Sequence, residues 1–333
     1  MVTMAEIAKK ADVSPAVVSR IINNDKSLRI GNETRKRVEA VIRELNYAPN
    51  VVAQSLASSR LGLIAVIVHD MANPVYGEIL RGAQAEANRQ NKAIILGDAS
   101  AGIGSNTRLA RMISGGGVDG LILQAAGKFS DEILANAVRQ ELPVVLLQAG
   151  MDIDAHLVQL PNKEAATMAT KYIRELGHTR VGCLATPKGL TFTNERLKGW
   201  REEMGEDASE DLVAYTDPHS DAGAEGTLEL IERCPDITAI VCFNVVAAVG
   251  AIRAIRKKGL NVPDDLSIIA IHDVKFAQDL CPPLTVVSMP LWEMGQLAVE
   301  TVCVPPTDAR SQLEVKSKPL LIPRDSTRPV SIS

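Results

Sequence analysis

Aromatic side chains are scarce in this 333-residue chain, at 3% of the sequence, with two tryptophans, four tyrosines and four phenylalanines. With so few rings, a binding cleft must hold its ligand mainly through hydrogen bonds and charge rather than stacking. The five cysteines, Cys183, Cys234, Cys242, Cys281 and Cys303, are scattered and form no C-x-x-C pair, which excludes a disulfide framework or a zinc site and leaves buried thiols as their reading. No uncharged apolar run approaches the roughly 18 residues that a membrane span needs. The start, Met1 to Glu6, shows neither the basic nor the apolar region of a secretion signal, so a cytoplasmic protein is expected. Gly102-Ile-Gly104 and Gly115-Gly-Gly117 lack the remaining glycine of a dinucleotide fingerprint. There is no phosphate-cradling loop ending in Lys-Ser/Thr, no G-x-S-x-G elbow and no metal-spaced cluster. Neither catalysis nor a cofactor or metal is expected.

What is present is globular, at 46% hydrophobic and 23% charged, and long enough for two or three folding units. Its net charge of −4 conceals a split. Residues 1–60 carry ten basic and six acidic side chains, a balance of +4 that leaves −8 for the rest. A small basic module joined to an acidic body has the electrostatic footprint of a DNA-binding unit, although exposed helices of interaction modules carry similar excesses.

Local signals in that module are helical. Thr3-Met-Ala-Glu6 is a capping box, and Met4, Ile7, Ala8 and Ala11 follow as an apolar stripe. Asp12-Val13 interrupts it. Ser14-Pro15 then offers an N-cap serine with proline at the first helical position, ahead of Val17, Val18, Ile21 and Ile22. A third helix is expected over Thr34 to Asn46, where Val38, Val41, Ile42 and Leu45 recur at helical spacing. From Leu61 the texture changes. Apolar runs at Leu63–Val68, Ala93–Leu96, Gly120–Leu123, Val144–Leu147, Val181–Leu184, Ala239–Phe243 and Leu266–Ile271 alternate with helical stretches near Tyr76–Asn91, Asp131–Gln140, Asn162–Leu176, Asp221–Arg233 and Val246–Lys258. That alternation predicts an α/β body of parallel sheets, and its length predicts two doubly wound lobes with a ligand cleft beyond the strand ends.

The string from Val2 to Asn23 resembles the helix-turn-helix of the LacI/GalR family of repressors. Thr34-Arg35, Leu45 to Asn50, Asn73-Pro74, Val118-Asp-Gly120, Glu175 to His178, Glu195-Arg196, Val262 to Asp265 and Pro282 to Thr285 follow in that family's order, covering nearly the whole chain. The resemblance implies a helix-turn-helix domain at 1–46, a hinge helix at 47–60 and an effector-binding and dimerisation core at 61–333. Within that core it implies a first lobe of about 61–159 plus 291–318 and a second of about 160–288 plus 319–333, each doubly wound and periplasmic-binding-protein-like. It further implies that Pro15, Ala16 and Arg20 read bases from the major groove, Arg20 through its two-pronged donor fork on guanine. Thr3, Ser19, Asn23, Thr34 and Asn50 are implied phosphate contacts, with Ser14 and Ala53 on the same surface, and Leu56 would wedge into the minor groove. Val17 and Gly31 depart from the family's usual threonine and serine, which removes one phosphate-contacting hydroxyl and one helix cap.

For the cleft the resemblance implies Asn73, Tyr76, Gln124, Gln148, Arg196, Asn244 and His272. Three of them have a plainer reading: Asn73 as a helix cap, Tyr76 as packing, Arg196 as a surface ion-pair residue. His178 reads as structural, and so do Met289, Trp292 and Met294. His272 and Gln148 stand where the family often carries carboxylates, as does Pro161, so the cleft leans toward an acidic or oxidised sugar derivative. The implied function is a nucleoid-associated homodimer that binds a palindromic operator under the control of a small-molecule effector. A purine-type corepressor-dependent regulator and a two-lobed solute-binding protein are the alternatives. No leucine heptads close the chain, which favours a dimer over a tetramer.

Overall fold

The computed structural model describes residues 2–22, 25, 27–47, 61–99, 107–124, 142–148, 155–304 and 311–330. Asn23, Asn50, Ala53, Leu56 and Phe129, the expected helix at Asp131–Gln140 and all of the expected hinge except Tyr47 lie outside them. The chain divides into two units, Met1–Leu61 and Gly62–Ser333.

The described residues of the first unit form three short helices, none of which can bury its apolar stripe alone. They are α1 (Met4–Lys10), α2 (Pro15–Ile22) and α3 (Asn32–Glu44). Ile7, Ala8, Ala11, Val18, Ile21, Val38 and Val41 form one core. The capping box is closed in both directions: Thr3 N donates to Glu6 Oε2 at 2.8 Å and Glu6 N to Thr3 Oγ1 at 3.3 Å. Ser14 Oγ accepts from Val17 N at 3.4 Å at the head of α2. The third helix starts two residues before the expected Thr34 and ends at Glu44, with Gly31 giving no side-chain cap. Arg37 Nε donates to the carbonyl of Ala11 at 2.9 Å, tying α3 to the end of α1.

The second unit holds two six-stranded sheets. Six strands in the order β11–β5–β4–β3–β1–β2 form the first: β1 (Leu63–Val68), β2 (Ala93–Asp98), β3 (Gly120–Gln124), β4 (Val144–Leu147), β5 (His156–Gln159) and β11 (Gln312–Glu314). The second runs β12–β10–β9–β8–β6–β7, from β6 (Val181–Ala185), β7 (Val213–Tyr215), β8 (Ala239–Cys242), β9 (Ser267–Ile271), β10 (Thr285–Ser288) and β12 (Leu320–Ile322). Every pairing is parallel except β10 with β12, which is antiparallel at the sheet's edge. Strands β3, β4, β6, β8 and β9 are buried along their whole length, the pattern of a sheet covered by helices on both faces. The chain passes between the sheets three times, after β5, after β10 and after β11.

The covering helices are α4 (Val75–Arg89), α5 (Arg108–Ser114), α6 (Asn162–Glu175), α7 (Thr191–Met204), α8 (Ser220–Arg233), α9 (Val245–Lys257) and α10 (Leu291–Cys303). Where α4 crosses α10 the two backbones touch. A Cβ on Gly82 would sit 2.0 Å from the Trp292 carbonyl oxygen, and one on Gly295 2.0 Å from that of Ile79. Gly295→Ala is therefore expected to lower unfolding stability by about 2 kcal/mol or more, because neither carbonyl is a side chain that can swing aside. Urea unfolding followed by circular dichroism measures it, and an unchanged midpoint would contradict the packing described.

Candidate functional site

In each sheet the strand order reverses beside the first strand, between β1 and β3 and between β6 and β8. Loops leaving the strand C-termini splay apart at such a point, and a crevice opens. The structure has a cavity of about 280 Å³ there, shared by the two lobes. All seven residues expected in the cleft line it. Asn73 and Tyr76 follow β1, Gln124 ends β3 and Gln148 follows β4. Across the gap Asn244 follows β8, His272 follows β9 and Arg196 reaches in from α7.

Gln148 and His272 occupy matching places, one in each lobe. Each lies immediately after the fourth strand in from its sheet's outer edge, has a left-handed backbone with φ of 67° and 76°, and donates its N–H at 2.9 Å to the adjacent strand, at Val158 and Val287. Non-glycine residues in this region are strained by of order 1 kcal/mol or more and cluster where a side chain must be aimed.

A continuous polar network joins them. Gln148 Oε1 accepts from Leu160 N at 3.0 Å and from Asn162 Nδ2 at 2.9 Å. Asn162 Oδ1 in turn accepts from Arg196 Nε at 2.9 Å, Arg196 Nη1 donates to the Phe243 carbonyl, and Nη2 lies 3.0 Å from His272 Nε2. Since a guanidinium only donates, His272 Nε2 must be the acceptor, so the imidazole is neutral with its proton on Nδ1. That Nδ1 is buried without a hydrogen-bond partner. Burial first, and the adjacent Arg196 charge second, hold the His272 pKa well below its ordinary value. Burial also lowers Arg196 to about 9, which leaves it charged at neutral pH.

The remaining expected residues have their polar atoms partly committed. Asn244 caps α9, its Oδ1 accepting from Val246 N at 2.8 Å, and so turns only the donor end of its amide to other partners. Asn73 Oδ1 accepts from Val75 N at 3.1 Å while Nδ2 donates across the cleft to the Pro218 carbonyl at 3.4 Å. The Tyr76 hydroxyl bonds the Gln124 side chain, and burial raises its pKa. Sequence reasoning missed His69, Thr186, Lys188, Phe192 and Asp217, which also line the cavity. His69, Thr186 and Asp217 each stand one or two residues past the end of a strand (β1, β6 and β7), the signal that would have found them.

The residues expected to face DNA in the first unit lie on α2 and at the helix starts. Pro15, Ala16 and Arg20 are exposed and Ser19 half-buried on α2, opposite the buried Val18 and Ile21. Thr3 and Ser14 head the first two helices, and Thr34 lies in the first turn of α3. Arg20 is not idle: Nε donates to Asp25 Oδ2 and Nη2 to Ser27 Oγ, both at 2.7 Å. Hydrogen bonds from Ser27 and Arg20 bring the Asp25 pKa down to about 2. Among the described residues no helix is long and apolar enough to cross a membrane.

Residues 3–50 match the bacterial regulatory proteins of the lacI family, and residues 170–327 match the periplasmic binding protein-like domain. The HTH-type transcriptional regulator DegA of Bacillus subtilis (strain 168) is 31% identical over 99% of both chains. The chain belongs to the LacI family. The HTH-type transcriptional repressor CytR of Escherichia coli (strain K12) is 30% identical over 89% of this chain and 87% of its own. Among solved structures, the complex of the transcriptional regulator CelR with cellobiose superposes with a TM-score of 0.71 at 26% identity, covering 98% of this chain and 100% of that one. This LacI-family chain is thus a DNA-binding transcription regulator with an effector-binding type of core.

The two depressed histidines set a pH dependence. His178 is buried, with Nδ1 against Thr238 Oγ1 and Nε2 against the Arg328 carbonyl, both at 2.9 Å, and desolvation lowers its pKa. His272 is lowered by burial and Arg196. Below pH of about 6.5 the unfolded chain takes up protons that the folded one refuses, so stability is complete above that pH and falls as the medium is acidified. Each histidine contributes a slope of up to about 1.4 kcal/mol per pH unit. His272→Asn should flatten the dependence measured by urea titration between pH 7.5 and 5.5; equal slopes would show that His272 does not titrate on unfolding.

Proposed function

We propose that this chain is a homodimeric repressor of carbohydrate-utilisation genes, binding a palindromic operator in the cytoplasm under the control of a small sugar or sugar derivative, and that it performs no catalysis. The observation carrying this is the pairing, in one LacI-family chain, of an α2 face with exposed Pro15, Ala16 and Arg20 and a two-lobed cavity bordered by the Gln148, Asn162, Arg196 and His272 network. The repressor CytR and the sugar-bound CelR support the reading by likeness. In this proposal Arg20 leaves Asp25 to read guanine, Thr3, Ser14, Ser19 and Thr34 contact the phosphate backbone, and residues 47–60 form a connector containing Asn50, Ala53 and Leu56. Ligand closes the lobes through Asn73, Tyr76, Gln124, Gln148, Arg196, Asn244 and His272, and a preference of one lobe arrangement for DNA converts this into regulation, with coupling typically about 1–3 kcal/mol.

Selection of bound fragments from a random duplex library with the full chain, at stated moderate salt, tests the reading. An enriched imperfect palindrome is expected, and recovery of random fragments alone rejects it. On the enriched site Arg20→Ala should cost about 1–3 kcal/mol and relax one position of the motif. Asp25→Asn should strengthen binding to unrelated duplex, because it removes the carboxylate that competes with phosphate for Arg20. Fluorescence anisotropy reads both variants.

A further inference from the structure

Charged side chains are seldom fully buried without a partner of opposite charge. Arg196 is an exception in this chain. It is 2% exposed, and its three bonded nitrogens meet an amide oxygen, a backbone carbonyl and an imidazole nitrogen, all neutral. Among the described residues no carboxylate forms an ion pair with it. Asp273, the carboxylate next to His272 in sequence, is spoken for: Arg324 Nη2 lies 3.1 Å from both of its oxygens. Asp217 is the cavity's only described carboxylate, and its side chain is 57% exposed with His219 4.0 Å away. Lys188 adds a second cation to the wall, so the described lining carries more positive than negative charge.

A guanidinium has five N–H groups. Three are used by Asn162, Phe243 and His272, which leaves one on each terminal nitrogen, the number a carboxylate takes when it binds a guanidinium fork. His272 is what keeps them available. It fixes Arg196 by accepting one hydrogen bond and contributes no negative charge, where an aspartate would neutralise the guanidinium within the protein.

We propose that the cleft ligand is a small carboxylic acid whose carboxylate is the counter-charge of Arg196, and that His272 is the residue setting this preference for an anion. The inference rests on the effector-binding reading above and names the chemical class that the site takes. The site is small, about 280 Å³, near the lower end of ligand pockets, which suits a single-ring or open-chain acid.

The test uses the full-length chain and its His272→Asp and His272→Asn variants. Aspartate and asparagine are nearly isosteric and both tolerate a left-handed backbone, so their difference reads charge. Without ligand at pH 7.5, H272D should melt higher than H272N, and the excess should disappear as pH falls through the titration of the new carboxyl, since the stabilising form is the ionised one. Thermal shift and calorimetry at constant ionic strength then compare gluconate and galacturonate with glucose, galactose and inorganic phosphate. Sugar acids should raise the melting temperature of the wild-type chain and neutral sugars should not, and H272D should bind the acid at least tenfold more weakly. The proposal is overturned if H272D is no more stable than H272N, which decides the matter even when no tested acid binds. It is also overturned if a neutral sugar matches its acid, or if phosphate stabilises and no carboxylate does. A chain that passes these tests but enriches no duplex would keep this inference and lose the regulatory one.

Discussion

Parallel sheets with helices on both faces leave little room for charged side chains in the middle of their strands, and this constraint arranges the second unit. Strands such as Gly120–Gln124 and Ser267–Ile271 are buried from end to end, so hydrogen-bonding groups collect just beyond their C-termini. Two sheets built in the same order and facing one another bring two such collections together. Asn73, Gln124, Gln148, Asn244 and His272 are neighbours for that reason and no other, although they are spread over 200 residues of sequence. Left-handed backbones at Gln148 and His272 end their strands and aim the side chains into the gap.

Charge is distributed as deliberately in the first unit as in the cleft. Arg20 waits on an exposed face, its donors held by Asp25 and Ser27. In the proposed DNA-bound state, exchanging Asp25 for a phosphate or a guanine edge would swap one acceptor for another. Arg196 is the opposite case, desolvated and bound only to neutral acceptors. One guanidinium is solvated and paired with a carboxylate, the other buried among neutral acceptors.

Much of this was legible from sequence because local signals agreed with global ones. Thr3 and Glu6 announce a helix that the structure closes on both sides, and the apolar runs at Leu63 and Val144 became strands with those limits. The short edge strands at Val213, Gln312 and Leu320 escaped notice since three residues carry no periodicity, and the antiparallel pairing of the last is invisible without the fold. Helix Thr191–Met204 also escaped. Its buried face mixes Thr193, Arg196 and Gly199 with Leu197, Trp200 and Met204, so polar and small residues interrupt the apolar spacing that a pattern search follows. The site residues were found by family resemblance rather than by periodicity. What no pattern could supply was the role of Asn162, by sequence only the start of a helical stretch, which proved to be the joint between Gln148 and Arg196.

The glycine contacts between helices have a mechanical consequence. Gly82 and Gly295 bring one pair of helix backbones together, and Gly223 and Gly250 another, so at these two crossings no long side chain lies between the helices to absorb deformation. In the proposed regulator, a displacement imposed at the mouth of the crevice would turn one lobe against the other about the three passages of chain between the sheets, where a few dihedral angles suffice.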